Sequence, residues 1–313
     1  MPELPEVQTI VDDLRKKVIA RRIVGVWFDA PKIIKRLKTL EFKKQIKGLK
    51  ITGVQRRGKN ILIYLIQKSI RQLADKNQND NSKIKIFLLL IHQKMTGHLL
   101  YGKWGVKKVS SNKFQVISLI KGPLREKVNG YIHLIFYLDN GWQLALSDLR
   151  KFAKVLFGLK EEIENLPDLK RIGPEPLDES FKVDKFISLI SLEKRKIKQV
   201  LMDQEVISGI GNIYSDEILW QVKIHPFTPA NQLTNGQLKD IYSAMRRILK
   251  KAIKLRGTSI SDFRDISGKS GAYADVRKVY AKEGERCQRC QTLIKRIKIG
   301  GRSAHFCPKC QKI

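Results

Sequence analysis

The chain opens Met1-Pro2-Glu3. Proline in second place is small enough for the initiator methionine to be trimmed, which would leave Pro2 as a secondary amine at the chain start. An α-amine titrates near ~8, well below a lysine amine, so a useful share is neutral and nucleophilic at physiological pH. Such an amine attacks an aldehyde-level carbon and forms an iminium, the logic of Schiff-base catalysis. Glu3, next to it, is placed to move the protons. At the far end stand all four cysteines, Cys287, Cys290, Cys307 and Cys310, as two C-x2-C pairs. This spacing reads as one tetrahedral zinc site rather than as disulfides. Four thiolates leave no open coordination position, so the ion is expected to be structural.

Between these ends lie groups suited to a nucleic acid. Lys59 ends the basic turn Arg56-Arg57-Gly58-Lys59, which enters a strand. Met95 stands at the end of an apolar strand, where an exposed methionine can wedge into a base stack. Arg150-Lys151-Phe152 joins cations to an aromatic ring, a combination that can fill a vacated base position. Gly209 and Gly211 precede a helix, and helix N-termini with exposed amides bind phosphate; Asn212 adds a neutral hydrogen bond. Arg302 follows Gly300-Gly301 between the cysteine pairs, where a metal-stiffened hairpin could aim it at a phosphate. The net charge of +32, from 62 Lys and Arg against 30 Asp and Glu, points to a polyanionic partner. No apolar run approaches the ~20 residues of a membrane span. The polar, acidic N-terminus is not a secretory signal, so a cytosolic protein is expected.

These groups need a scaffold. Val7, Ile10, Val11, Leu14 and Val18 repeat at helical spacing, with Pro5 and Glu6 suited to the first turn. Pro2 and Glu3 then form a short arm before a buried helix. Strand-like runs follow at Ile23–Phe28, Ile61–Ile66, Ile84–Ile91, Phe114–Ile120, Tyr131–Leu138 and Trp142–Leu146, with Asn140-Gly141 as a hairpin turn. The polar stretch Ser69–Lys83 reads as a surface insertion. After a proline-bearing linker from Pro167 to Pro176 the pattern turns helical, at Phe181–Leu192, Ile197–Met202 and Asn212–Val222. A longer amphipathic helix runs from Leu238 to Ala252, capped by Thr234. The expected fold class is α+β: a leading helix with a mostly antiparallel β domain, sandwich or barrel, over residues 1–158, a linker over 159–180, a helical domain over 181–285 and a four-cysteine finger over 286–313.

The order of these pieces resembles bacterial formamidopyrimidine-DNA glycosylases, nearly end to end. The resemblance is carried by Pro2-Glu3-Leu4-Pro5-Glu6-Val7, Arg57-Gly58-Lys59, Met95-Thr96-Gly97, Arg150–Phe152, Met202-Asp203-Gln204, Gly209-Ile-Gly-Asn-Ile-Tyr214, Ile224-His225-Pro226 and Gly300-Gly-Arg302-Ser303. It implies a β-sandwich, a helix–two-turns–helix module and a β-hairpin zinc finger, with bent DNA between domains and the damaged base flipped out. It implies a bifunctional glycosylase and abasic-site lyase of base-excision repair, acting on 8-oxoguanine and formamidopyrimidines. By position, Pro2 matches the nucleophile at C1′ and Glu3 the proton donor. Lys59 and Arg302 match the groups assigned to β- and δ-elimination. Met95, Arg150 and Phe152 match the residues that fill the gap and probe the opposite base. Asn212, Lys194 and either Tyr131 or His133 match DNA contacts. The partner is double-stranded DNA carrying oxidised bases or abasic sites, met by a monomer in the bacterial nucleoid, with one zinc ion and no membrane. Family members usually read Asp-Pro-Arg-Arg-Phe-Gly where this chain reads Asp148-Leu-Arg-Lys-Phe-Ala153. Competing readings are an endonuclease VIII-like enzyme for oxidised pyrimidines and a catalytically idle zinc protein that binds damaged DNA; Leu4 and the Arg-x-Phe loop favour the first assignment.

Overall fold

The structure, a computed structural model, describes residues 1–67, 85–110, 113–260 and 262–312. The expected insertion Ser69–Lys83 lies outside the described residues. The chain divides into two compact units. The first holds Met1–Pro2, Glu6–Lys170 and Ser259–Gly271; the second holds Glu3–Pro5, Arg171–Thr258 and Ala272–Ile313.

The first unit begins with helix α1 (Leu4–Val18), whose opening turn belongs to the second unit. Its apolar stripe, Val7, Ile10, Val11, Leu14 and Val18, is fully buried. Then come β1 (Ile23–Phe28), β2 (Ile34–Lys35), α2 (Thr39–Ile46), β3 (Lys50–Arg57), β4 (Asn60–Ile66), β5 (Ile86–His92), β6 (Gly97–Gly102), β7 (Trp104–Ser110), β8 (Lys113–Ser118), β9 (Ile132–Leu138), β10 (Gln143–Asp148) and β11 (Lys154–Leu159). Short helices α3 (Lys160–Glu164) and α4 (Pro167–Lys170) complete it. One sheet runs β1-β9-β10-β6 and the other β2-β11-β5-β4-β3, with β7 and β8 as a separate hairpin. Side chains from both sheets and from α1 share one core, including Ile61, Ile63, Leu89, Ile91, Leu134, Phe136 and Val155. The Asn140-Gly141 turn joins β9 to β10 as expected, with Gly141 at φ +76°.

Several elements were absent from the sequence reading: α2, β3, β6, β7 and β11. Each carries a pattern that local chemistry hides. In α2 only Phe42 and Ile46 are buried among lysines and glutamine. β3 carries a register shift between Ile51 and Gly53 that breaks its alternation.

The second unit holds α5 (Val183–Ile190), α6 (Ile197–Met202), α7 (Asn212–Gln221), α8 (Asn235–Lys254), α9 (Tyr273–Val276) and the hairpin of β12 (Lys295–Ile299) with β13 (Arg302–Phe306). Helix α8 starts where Thr234 caps it: its hydroxyl accepts from the Gln237 amide at 3.2 Å, and the Gln237 side chain accepts from the Thr234 amide at 2.9 Å. The apolar faces of α5 through α8 close on a second core that takes in Leu4. No helix among the described residues is long and apolar enough to cross a membrane.

Candidate active site

In the second unit the Glu3 carboxylate sits at the N-terminus of α7. It accepts from the amides of Gly211 at 2.7 Å, Ile213 at 2.8 Å and Tyr214 at 3.4 Å. Its residue is 2% exposed. These are donors a helix start leaves unsatisfied, and a carboxylate there gains from the helix dipole as well. The next residue adds a backbone bond, from the Leu4 amide to the Gly209 carbonyl at 2.9 Å. Two glycines make room for this arm. A Cβ on Gly211 would stand 2.5 Å from the Glu3 Cδ, and one on Gly209, at φ +84°, would stand 2.7 Å from the Leu4 Cβ. This corrects the expectation that these glycines and amides form a phosphate cradle. The helix terminus is filled by a side chain of the protein itself.

Helix α7 also carries adjacent buried acids that hold the finger. Asp216 pairs with the ammonium of Lys198, which is fully buried, and accepts from the His305 amide and Nδ1 at 2.9 and 3.1 Å. Burial draws the Lys198 ammonium's pKa down, while Asp216 and the field of Glu3 oppose it. Glu217 accepts from the amides of Lys278, Val279 and Tyr280. Tyr280 thereby stands beside Asn212, whose side chain meets its hydroxyl; burial raises that phenol's pKa. Arg302 begins β13 after the Gly300-Gly301 turn and is exposed. Lys194 is exposed in the connection between α5 and α6, beside Arg195, which Glu193 and Asp203 each hold at 2.7 Å.

The four cysteine sulfurs lie within 4.8 Å of one another. The separations of 3.4 Å for Cys290–Cys307 and 4.0 Å for Cys287–Cys310 are far beyond a disulfide bond of about 2.05 Å. They suit a tetrahedral metal with bonds of about 2.3 Å, whose sulfurs would stand about 3.8 Å apart. The donor chemistry therefore fits a thiolate-bound divalent ion.

In the first unit, Pro2 is buried. Lys59 is 5% exposed, in the turn between β3 and β4 where Gly58 takes φ +55°. Arg56 braces that turn, donating to the Gly58 carbonyl at 2.9 Å and to the Gln8 side chain of α1 at 2.8 Å. Met95 caps the turn between β5 and β6 and is 38% exposed. The loop after β10 is organised by Asp148. Its carboxylate accepts from the Thr96 hydroxyl, from the Arg150 amide at 3.3 Å and from the Ala153 amide at 2.7 Å. Asp148 thus joins the Met95 turn to the Arg150–Phe152 loop. The Arg150 guanidinium stacks 4.5 Å over the Phe152 ring, which is 53% exposed. Lys151 takes φ +55°, whereas Ala153 needs no left-handed conformation; alanine in the family's usual glycine position therefore closes this loop without strain. Tyr131 just precedes β9 and is half-buried, and His133 donates through Nδ1 to the Asp29 carboxylate at 2.8 Å.

The sequence reading passed over His92. It pairs in register with Asn60, the residue after Lys59, and its Nδ1 accepts from the Lys94 amide at 3.0 Å. Burial first, then the charges of Lys94 and Lys59, lowers its pKa to about 3. The imidazole is therefore neutral, and with Nδ1 accepting, its proton sits on Nε2. Tyr280 and Lys198 were missed as well. The signal available was weak: one histidine three residues before Met95, and a lysine inside an apolar helical run.

The His92 shift carries a stability signature. The unfolded imidazole takes a proton near pH 6.5, while the folded one resists until about pH 3. Its contribution is complete above pH 6.5 and disappears as the pH falls through that window, a loss of at most a few kcal/mol. His92→Gln should flatten this part of the stability profile. Denaturant titrations of both proteins between pH 3 and 7 measure it, and parallel profiles would count against it.

An α+β fold with a fixed N-terminal carboxylate and a cysteine finger fits the class of DNA glycosylases of base-excision repair. Three family profiles match in chain order: the formamidopyrimidine-DNA glycosylase N-terminal domain over residues 1–155, its H2TH domain over 172–264, and the zinc finger found in FPG and IleRS over 284–313. The formamidopyrimidine-DNA glycosylase of Pelotomaculum thermopropionicum is 35% identical over 313 residues, covering all of both chains. That of Streptococcus pneumoniae serotype 4 is 31% identical over 312 residues, covering 100% of this chain and 99% of its own. Among solved structures, Lactococcus lactis Fpg in complex with abasic-site DNA matches with a TM-score of 0.77 at 32% identity, covering 99% of this chain and all of that one. The same enzyme with Fapy-dG DNA matches at a TM-score of 0.78, also at 32% identity and with the same coverage. The chain belongs to the formamidopyrimidine-DNA glycosylase family.

Proposed function

We propose that the protein excises oxidised purines, 8-oxoguanine and formamidopyrimidines, from double-stranded DNA and then cleaves the strand at the resulting abasic site. The observation that carries this reading is the seating of Glu3. A carboxylate fixed by three backbone amides holds the residue next to Pro2 in one place, which is what a proton-transfer partner of a nucleophilic amine requires.

With Met1 removed, the Pro2 nitrogen attacks C1′ and displaces the base, leaving an iminium. Glu3 moves the protons of sugar opening and base departure. The iminium acidifies the C2′ protons, so the 3′ phosphate is eliminated with Lys59 as the assisting cation, and a second elimination expels the 5′ phosphate with Arg302. Cations beside both phosphates stabilise the leaving groups. Met95, Arg150 and Phe152 enter the duplex where the lesion has left it. Asn212, Lys194 and Tyr131 or His133 contact the DNA backbone. Since His133 already engages Asp29, Tyr131 is the freer of that pair. One zinc ion held by Cys287, Cys290, Cys307 and Cys310 stiffens the hairpin that presents Arg302.

Borohydride trapping on an 8-oxoguanine duplex tests the enzyme reading. A covalent protein–DNA adduct is the expected product; its absence alongside tight binding would leave only a damage-binding protein. Cys307→Ser should loosen the metal and weaken DNA binding by about ten-fold or more, because metal binding is folding energy for such a hairpin. Metal content and a binding isotherm check it, and full affinity in the metal-free variant would refute the role.

A further inference from the structure

Trp220 ends helix α7 and is 4% exposed. Its indole Nε1–H is buried with no hydrogen-bond partner among the described residues. An orphaned buried N–H is costly, so its surroundings are informative. The ring packs in a small cluster with Cys287, Cys307, Val279 and Ile294, with Cys290 and Cys310 at its edge. One face of the indole is covered by Arg289. That guanidinium lies 3.7 Å over the indole and donates to the carbonyls of Trp220 at 2.6 Å and Gln221 at 2.9 Å, capping the C-terminus of α7. The indole is thus clamped, and sulfur is the acceptor its cluster provides.

We propose that Trp220 is a positioning residue for the finger's metal: its indole N–H donates to the Cys287 sulfur and holds that ligand for the ion. Cys287 is then held from the helical module as well as by its own finger. Metal affinity then depends on α7 being folded, the same helix whose N-terminus seats Glu3. Hydrogen bonds to ligating atoms typically change metal affinity by about 10–100-fold.

The inference rests on the metal-site reading of the four cysteines, and the test separates the two. In full-length protein loaded with cobalt(II), Trp220→Phe keeps an aromatic ring and removes the donor. Affinity, measured by competition with a chromophoric chelator, is expected to fall about ten-fold. The sulfur-to-cobalt charge-transfer band is expected to shift to lower energy, because an unbonded thiolate gives up its electrons more readily. Arg289→Met, which loosens the same packing but leaves the indole N–H, should not move that band. In the wild-type protein loaded with cadmium-113, the indole proton should show scalar coupling to the metal nucleus across the hydrogen bond, a measurement that needs no variant to fold. An unmoved band with affinity within two-fold, or an indole proton uncoupled to bound cadmium, would overturn the role of Trp220. Failure of the wild-type protein to bind either metal would overturn the metal site itself.

Discussion

Replacing Pro2 with glycine is expected to lower base release by at least about 10³-fold while leaving affinity for lesion DNA within a few-fold. The reason is the kind of amine lost. A secondary amine that adds to C1′ yields an iminium with a permanent positive charge. The primary amine of a terminal glycine yields an imine that must be protonated to the same end. The pyrrolidine ring also fixes the nitrogen's orientation about the N–Cα bond, whereas glycine leaves the attacking nitrogen to search many conformations before Glu3. DNA affinity is expected to rest instead on the chain-wide charge of +32 and on phosphate contacts. Single-turnover base release with a parallel binding isotherm measures both. Unchanged turnover would reveal another nucleophile, and full activity in protein whose mass still includes Met1 would exclude the proline amine altogether.

Gly211→Ala is expected to be nearly as damaging, though it removes no chemical group. The new methyl would occupy the space of the Glu3 carboxyl, 2.5 Å from Cδ and 2.6 Å from Oε1. Either the carboxylate leaves its three amides or the start of α7 shifts. Loss of that cap should cost about 1 kcal/mol of stability, and displacement of the proposed proton carrier should cost about 10²–10⁴-fold in base release. The combination is diagnostic: small loss in thermal unfolding, large loss in turnover, intact DNA binding. Turnover within two-fold of wild type would mean that the seat of Glu3 does not matter for the reaction.

Much of the scaffold was legible because its signals are local. The α1 stripe, the Asn140-Gly141 turn, the Thr234 cap and the two cysteine pairs each depend on residues a few positions apart, where backbone geometry translates spacing directly into structure. The α2 helix and strands β3, β6, β7 and β11 were not legible, since segments interrupted by lysines, glycines or register shifts leave little periodicity to read. His92 escaped for a related reason. A lone histidine acquires its character from burial and from Lys59, 33 positions away in sequence but adjacent to its partner strand.

By itself the sequence determined the inventory of this enzyme: an N-terminal proline and glutamate, a basic chain, and four cysteines at metal-binding spacing. These are matters of composition and of short-range order. Only the tertiary structure decided how the inventory is used. It gave the amides of Gly211, Ile213 and Tyr214 to Glu3 rather than to phosphate, across 208 residues of chain in the case of Gly211. A backbone donor has no preference written in its own residue type; its partner is whatever acceptor the packed fold brings within 3 Å.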